Sequence, residues 1–277
     1  MLVTIGILGL LLLGVFLSAL YAYEVVRLTK YDVYTKKIND VFDGYKMALI
    51  TDFHNSENYP QILEQIDMSK PDVILIAGDL VSMNTTDYSN TEHLLAGLVK
   101  AAPTYYAFGN HEIWSDRAQE IAEVAKKKGV HLLNDQVVTI KKKNNTINLA
   151  GFMDIGKDDF HVDTSVIDQK LDALYRQISE PSQFSVLLFH RANYFDTVAN
   201  HPFDLVLSGH LHNGQVNLPF VKKWILKKRV NNDQYSKGLY RIGDSQMVVS
   251  GGLEKSRTEP RIYNPAEVVL VTLHKMN

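Results

Sequence analysis

His210 and His212 stand one residue apart, just past the apolar run LVLSG (205–209). Alternate residues of an extended chain point to the same side, so both imidazoles are directed at one spot beyond a strand end. A packed core has little use for that arrangement, and a metal ion has much. Four further apolar runs end in side chains of the same chemistry: Asp52 and His54 in TDFH, Asp79 in GD, Asn110 and His111 in GNHE, and His190 in FH. Imidazole mixed with carboxylate and amide oxygen suits manganese, iron or zinc better than calcium or magnesium. The set is too large for one tetrahedral ion, whereas two divalent ions sharing one carboxylate account for it. Each signal alone is weak, because Asp after a strand is commonly a turn residue and a lone His such as His190 is commonly a satisfied core or surface residue. The weight lies in the conjunction of five signals, all at strand ends.

Ligands so far apart in the chain converge only if strands bring their carboxyl ends to one edge, where open α/β sheets bind their ligands. The runs 45–54, 71–81 and 103–112 read as buried strands, and 59–69 and 90–102 carry apolar residues at helical spacing between them. Residues 115–130 read as a helix, with Ser115 as its N-cap and Gly129 as its stop. This β-α-β-α order implies mostly parallel strands covered on both faces. The second half continues with strands at 146–154, 184–190, 203–210, 246–252 and 266–272 and a helix near 164–179. A hairpin is expected around Asn144–Asn145, its lysines 141–143 a solvated edge. The expected fold class is α/β, with one domain over residues 44–277.

The first 23 residues carry no charged side chain, enough apolar length for a helix to cross a bilayer. A cleaved signal peptide would need a basic start, and no Lys or Arg precedes the run. We therefore expect a retained single-pass anchor over 1–23 and a charged juxtamembrane stretch over 24–43. Arg27, Lys30, Lys36 and Lys37 follow the span, so the positive-inside rule points to a cytoplasmic body. The chain has no cysteine, which excludes disulfides, thiolate metal sites and cysteine nucleophiles. Its net charge of -2 gives no general attraction to nucleic acid, and none is expected as a partner. Residues 220–230 (FVKKWILKKRV) interleave five basic residues with apolar and aromatic ones. Such a segment reads equally as a membrane-interface element or as a solvated loop.

With Asp52-Phe-His54, Gly78-Asp79, Gly109-Asn110-His111-Glu112, His190 and Gly209-His210-Leu-His212 together, the chain resembles the calcineurin-like metallophosphoesterases over roughly residues 45–272. GHLHNGQVNLPF, GLYRIGD and EPRIYNPAEVVLVTL resemble most the membrane-associated bacterial phosphodiesterase branch, which includes UDP-2,3-diacylglucosamine pyrophosphatase-like enzymes. Two departures touch the rim: Asn213 stands where that branch usually has Gly, and Arg191-Ala-Asn193 follows His190 where a proline-bearing turn is common. The resemblance implies an αββα sandwich and a dinuclear centre, with manganese the first expectation and iron or zinc the alternatives. By the motif, Asp52, His54 and His212 would hold one ion, Asn110, His190 and His210 the second, and Asp79 would bridge them. A hydroxide held between the ions would attack phosphorus in line. His111 would hydrogen-bond the phosphoryl group or protonate the leaving oxygen; its alternative role is to stabilise its loop. The expected activity is hydrolysis of a phosphodiester or pyrophosphate, with a lipid-linked substrate if 220–230 meets the bilayer. A phosphomonoesterase is the alternative, and a non-catalytic scaffold is disfavoured because every ligand position is filled.

Overall fold

The computed structural model describes residues 2–156, 162–230, 232–256 and 259–276. In chain order these residues form α1 (Leu2–Glu24), β1 (Val26–Thr35), β2 (Lys46–Ile50), α2 (Tyr59–Ser69), β3 (Val73–Ala77), α3 (Ser89–Ala101), β4 (Thr104–Ala107), α4 (Asn110–Trp114), α5 (Ala118–Lys127) and β5 (His131–Leu132). They continue through β6 (Gln136–Lys142), β7 (Asn145–Gly151), α6 (Thr164–Tyr175), β8 (Ser185–Arg191), α7 (Phe195–Val198), β9 (Leu205–Gly209), α8 (Pro219–Arg229), β10 (Gly238–Ile242), β11 (Ser245–Val249) and β12 (Ala266–Lys275).

The strands make two six-stranded sheets, ordered β1-β12-β2-β3-β4-β5 and β10-β11-β9-β8-β7-β6. Within the first, β2, β3, β4 and β5 run parallel; within the second, β7, β8, β9 and β11 do. The unbroken apolar runs are explained by burial on both faces. In β3, Val73, Leu75 and Ala77 point into the core between the sheets, while Ile74 and Ile76 pack under α2, α3 and α5. In β8, Val186 and Leu188 join the inter-sheet core, while Leu187 and Phe189 meet α6 and α7 on the opposite side. Helices thus cover both outer faces and the two sheets share a central core, a helix–sheet–sheet–helix sandwich of mixed α/β type.

Three elements differ from the sequence expectation. Residues 24–43 carry β1, which pairs parallel with β12 over its whole length. Its charged residues Arg27, Lys30 and Asp32 lie on a half-exposed edge strand and mask the alternation. The helix expected over 115–130 is two: Ser115 terminates α4 instead of capping a helix, and its Oγ accepts the Arg117 N–H (3.1 Å) before α5 begins. Gly129, at φ +89°, lies two residues beyond the end of α5, as expected of a stop. Residues 219–229, for which a solvated loop is one of two equal readings, form a helix. α1 is exposed along most of its length and is long and apolar enough to cross a membrane or to serve as a signal sequence.

Candidate metal centre

The carboxyl ends of β2, β3, β4, β8 and β9 open at the same edge of the sandwich, and all eight residues expected at the site meet there. Asp52 and His54 follow β2, Asp79 follows β3, Asn110 and His111 start α4 after β4, His190 lies near the end of β8, and His210 and His212 follow β9. Asp52, His54, Asp79, His210, His212 and the neighbouring Asn55, Asn213 and Gln215 all adopt positive φ, between 45° and 76°. Left-handed backbone at a non-glycine residue costs roughly 1–3 kcal/mol and persists where surrounding structure enforces it. The strands end in bent loops that turn their side chains inward. Gly78 lets two of them meet: a Cβ there would lie 2.4 Å from His190 Nδ1 and 2.7 Å from Gly109 Cα.

Asp52, His54 and His212 form one group with ligand atoms within 4.8 Å of one another, Asp79, His190 and His210 a second, and His54, Asp79 and His111 a third. Asp79 is shared by the last two, its Oδ2 3.1 Å from His190 Nε2 and 3.9 Å from His54 Nε2. His54 Nε2 and His212 Nε2 are 3.4 Å apart. Two imidazoles bound at about 2.1 Å around a tetrahedral ion would hold their nitrogens about 3.4 Å apart. Three of the ligand rings are oriented from behind. His190 Nδ1 donates to the Ala77 carbonyl (2.7 Å), His212 Nδ1 faces the Glu254 carboxylate (3.3 Å), and His54 Nδ1 meets Ser82 Oγ (3.3 Å). That is the support expected of metal-binding histidines, whose Nε2 lone pairs are left for the ion. His190 Nε2, for all its nearness to Asp79, makes no hydrogen bond, and the buried Asn110 Oδ1 has no hydrogen-bond partner. Buried polar atoms are ordinarily satisfied; these two are aimed where a cation would satisfy them.

The electrostatics agree. Burial pushes the His54 imidazolium down to about 4 and His210 well below its ordinary value, so both rings are neutral donors of electron pairs. Burial opposes charge on His190 and His212 as well, but the Asp79 and Asp52 carboxylates outweigh it and raise them to about 10 and about 9. In reverse, burial would raise Asp52 and Asp79, yet the neighbouring imidazoles hold both well below the usual carboxylate range. Without an ion, protons on His190 and His212 balance the two buried carboxylates, a compensation that bound cations would take over.

His111 differs from the other rings. Its backbone N–H binds Asp79 Oδ1 (2.9 Å), and its Nδ1 accepts the Met83 N–H (3.2 Å). In the neutral ring the proton is therefore on Nε2, which is partly exposed to the cleft and 3.9 Å from Asp79 Oδ2. The cleft has a volume of about 260 Å³, and Leu226 and Val230 of the α8 segment form part of its wall.

Three supporting residues were not assigned a role from the sequence. Glu112 is fully buried and accepts the Asp79, Gly109 and Val81 N–H groups at 2.9, 2.8 and 3.1 Å, tying the loops of Asp79 and Asn110 together. Burial and the Asp79 charge raise its carboxyl to about 7 against the pull of those amides. Glu254 lies in a loop with no periodic signal; His212, His54 and Arg261 overcome its burial and hold it at about 2. Asn264 donates to the His212 carbonyl (2.8 Å) and so braces the histidine loop. The two rim departures are also explained. Arg191 forms a buried ion pair with Asp154 (2.7 Å) beside the Trp114 ring. Asn213, in the left-handed region at φ 51°, donates to Asn264 Oδ1 (3.0 Å) and accepts from Lys222 of α8.

The family model for calcineurin-like phosphoesterases matches residues 45–214, which hold every expected ligand. Similar proteins include an uncharacterized metallophosphoesterase of Campylobacter jejuni, 26% identical over 96% of this chain and 69% of its own length. Phosphodiesterase YaeI of Escherichia coli is 26% identical over 76% of this chain and 75% of its own. In fold, the chain is similar to TT1561 of Thermus thermophilus, with a TM-score of 0.50 and 16% identity over 76% of this chain and 90% of that one.

Proposed function

We propose a reaction for this chain, which belongs to the calcineurin-like phosphoesterase family and is a metal-dependent phosphoester hydrolase: it cleaves phosphodiester or pyrophosphate bonds, of lipid-linked substrates, at a pair of divalent cations. The observation that carries the reading is the set of adjoining three-residue ligand groups in which Asp79 is shared, within reach of both His190 and His54. Asp52, His54 and His212 would hold one cation; Asn110, His190 and His210 the other; Asp79 would serve both. Manganese is the first choice, because the donors mix imidazole with carboxylate and amide oxygen. Such a pair supplies Lewis acidity and a nucleophile at neutral pH.

The chain's own residues supply orientation and a hydrogen bond. With Nδ1 engaged by the Met83 N–H, His111 donates through Nε2 to a phosphoryl oxygen that gains charge in the transition state. That role fits the structure better than proton delivery to the leaving oxygen.

Three observations support a membrane-anchored, lipid-linked reading like that of the phosphodiesterase branch noted in the sequence. α1 carries no charge before Glu24. Ser18 of α1 accepts the Tyr263 N–H (2.7 Å), and the Tyr263 carbonyl accepts from Asn217, two residues before α8, so α1 stands beside the cleft's rim. α8 turns Leu226 inward, while Phe220 and Trp224 are 91% and 60% exposed and Lys228 lies over the Trp224 ring. An apolar, aromatic and basic surface suits an anionic bilayer interface. The mouth of the cleft would then face lipid from a cytoplasmic body.

The test is hydrolysis of a chromogenic phosphodiester, a chromogenic monoester and a lipid-linked pyrophosphate by the purified full chain, with ion content measured in parallel. Two ions per chain are expected, the diester or pyrophosphate is preferred, and Asp79→Ala loses at least about 100-fold in kcat/KM, as disturbing a metal site does. Undiminished turnover by Asp79→Ala would overturn the scheme.

A further inference from the structure

Arg261 is buried behind the candidate centre; it lies in the stretch EPRIYN but is not in the ligand set, and it was assigned no role from the sequence. Its Nε donates to the Glu254 carbonyl (2.8 Å) and its Nη1 to the Gly251 carbonyl (2.7 Å), clamping both ends of the turn 251–254. That turn is already stitched to the first ligand loop, because the Leu253 N–H reaches the carbonyls of Thr51 (3.2 Å) and Asp52 (3.1 Å). The Glu254 side chain leaves the same turn and meets His212 Nδ1 at 3.3 Å. The third guanidinium nitrogen, Nη2, is buried without a hydrogen-bond partner. It lies near Asp52: a Cβ built on Gly252 would be 3.3 Å from Nη2, 2.8 Å from Asp52 Cβ and 3.2 Å from Asp52 Oδ2.

The next residues close the brace. The Ile262 N–H donates to the Gln215 carbonyl (3.2 Å), and Asn264 holds the His212 carbonyl. One short segment therefore fixes the backbone that presents His212, the carboxylate that orients its ring, and the turn against Asp52. Of the second group, the described residues show no corresponding contact with His190 or Asn110, while His210 is linked through its backbone, its N–H donating to the Asp52 carboxylate (3.1 Å). A guanidinium suits this post, because its rigid fork bridges two carbonyls at a fixed spacing, which a lysine ammonium does not do.

We propose that Arg261 is a positioning residue for one half of the centre: by clamping the 251–254 turn it keeps the Glu254 carboxylate on His212 and thereby sets the affinity of the Asp52–His54–His212 group for its cation. The proposal rests on the two-ion reading and makes the two ions inequivalent in a way that reading does not require. Partners that orient a ligating histidine are worth about 10–100-fold in metal affinity.

The experiment titrates Mn(II) into ion-stripped full-length protein, following free and bound ion by electron paramagnetic resonance, with thermal unfolding of each stripped variant alongside. In Arg261→Met one ion binds as in the parent and the other 10–100-fold more weakly, so the spin-coupled signal of the filled pair appears only at higher manganese. Glu254→Gln shifts the same ion, the double variant shifts it no further than the worse single one, and Arg261→Lys recovers only part of the loss. Equal weakening of both ions in Arg261→Met, additive losses in the double variant, or an unchanged pair of affinities in Arg261→Met and Glu254→Gln would each overturn the positioning role while leaving the two-ion reading standing. Parent protein that takes up no ion would overturn both.

Discussion

Glu112 offers a quantitative test of how the centre is built. Its two oxygens accept three backbone amides, from Asp79, Gly109 and Val81, in a fully buried site. In Glu112→Gln the remaining carbonyl oxygen can keep the Asp79 and Gly109 amides, while the new NH2 group faces the Val81 N–H, 3.1 Å from the atom it replaces. One buried donor loses its acceptor, at a cost of about 1–3 kcal/mol. At about 2–4 °C per kcal/mol for a chain of this size, the melting temperature falls by roughly 2–12 °C. Glu112→Ala strands all three amides, about 3–9 kcal/mol on the same scale, which is comparable with the whole stability of a typical domain, about 5–15 kcal/mol. Differential scanning calorimetry of the stripped and manganese-loaded chain reads both effects. The Gln variant also requires more manganese for half-maximal activity, because the Val81 amide is released and the loop that carries Asp79 is held at one point instead of two. If Glu112→Gln melts with the parent and fills with manganese identically, Glu112 does not hold the two loops together and the reasoning fails.

Two other outcomes are expected. Gly78→Ala places a methyl group 2.4 Å from His190 Nδ1 on a backbone at φ +87°, so it should lose at least about 1–3 kcal/mol and most activity, as seen by thermal unfolding and diester turnover; a stable, active variant would contradict the packing described. Changing Lys223 and Lys228 to Gln in a chain trimmed of residues 1–24 should weaken binding to anionic vesicles by about 2 kcal/mol, at about 1 kcal/mol per charge, and spare hydrolysis of a small soluble diester; sedimentation with vesicles decides, and equal binding would remove α8 from the interface.

Much of the centre was legible because its residues obey a rule of position. Ligands at the carboxyl ends of parallel strands follow apolar runs, and those runs are visible as sequence whatever their order in space. The helices α2 and α3 were legible for a similar reason, since each buries one stripe: Ile62 and Ile66, then Leu94, Leu95 and Leu98. β1 was not, because a half-exposed edge strand carrying Arg27, Lys30 and Asp32 has no continuous apolar signal. The break between α4 and α5 was hidden because Ser115 is a good cap residue by type, and only the bond of its N–H to the His111 carbonyl (3.1 Å) shows that it ends α4. Glu254 and Arg261 lie in loops, where periodicity says nothing. Their meaning comes from contacts across the chain, to His212 and to the Gly251 and Glu254 carbonyls. Glu112 stood inside a recognised motif, yet its neighbours Asp79 and Val81 come from another strand's end.

The position of β12 also governs when the catalytic edge can form. It lies between β1 and β2, with Val269 opposite Leu49 and Val26 opposite Ala266, so the first sheet joins segments from nearly opposite ends of the polypeptide. Closing so long a loop is entropically slow. A nascent chain carries Asp52, Asp79 and both histidine loops before the strand that completes their platform has been synthesised, so the full first sheet beneath them assembles only after β12 is made.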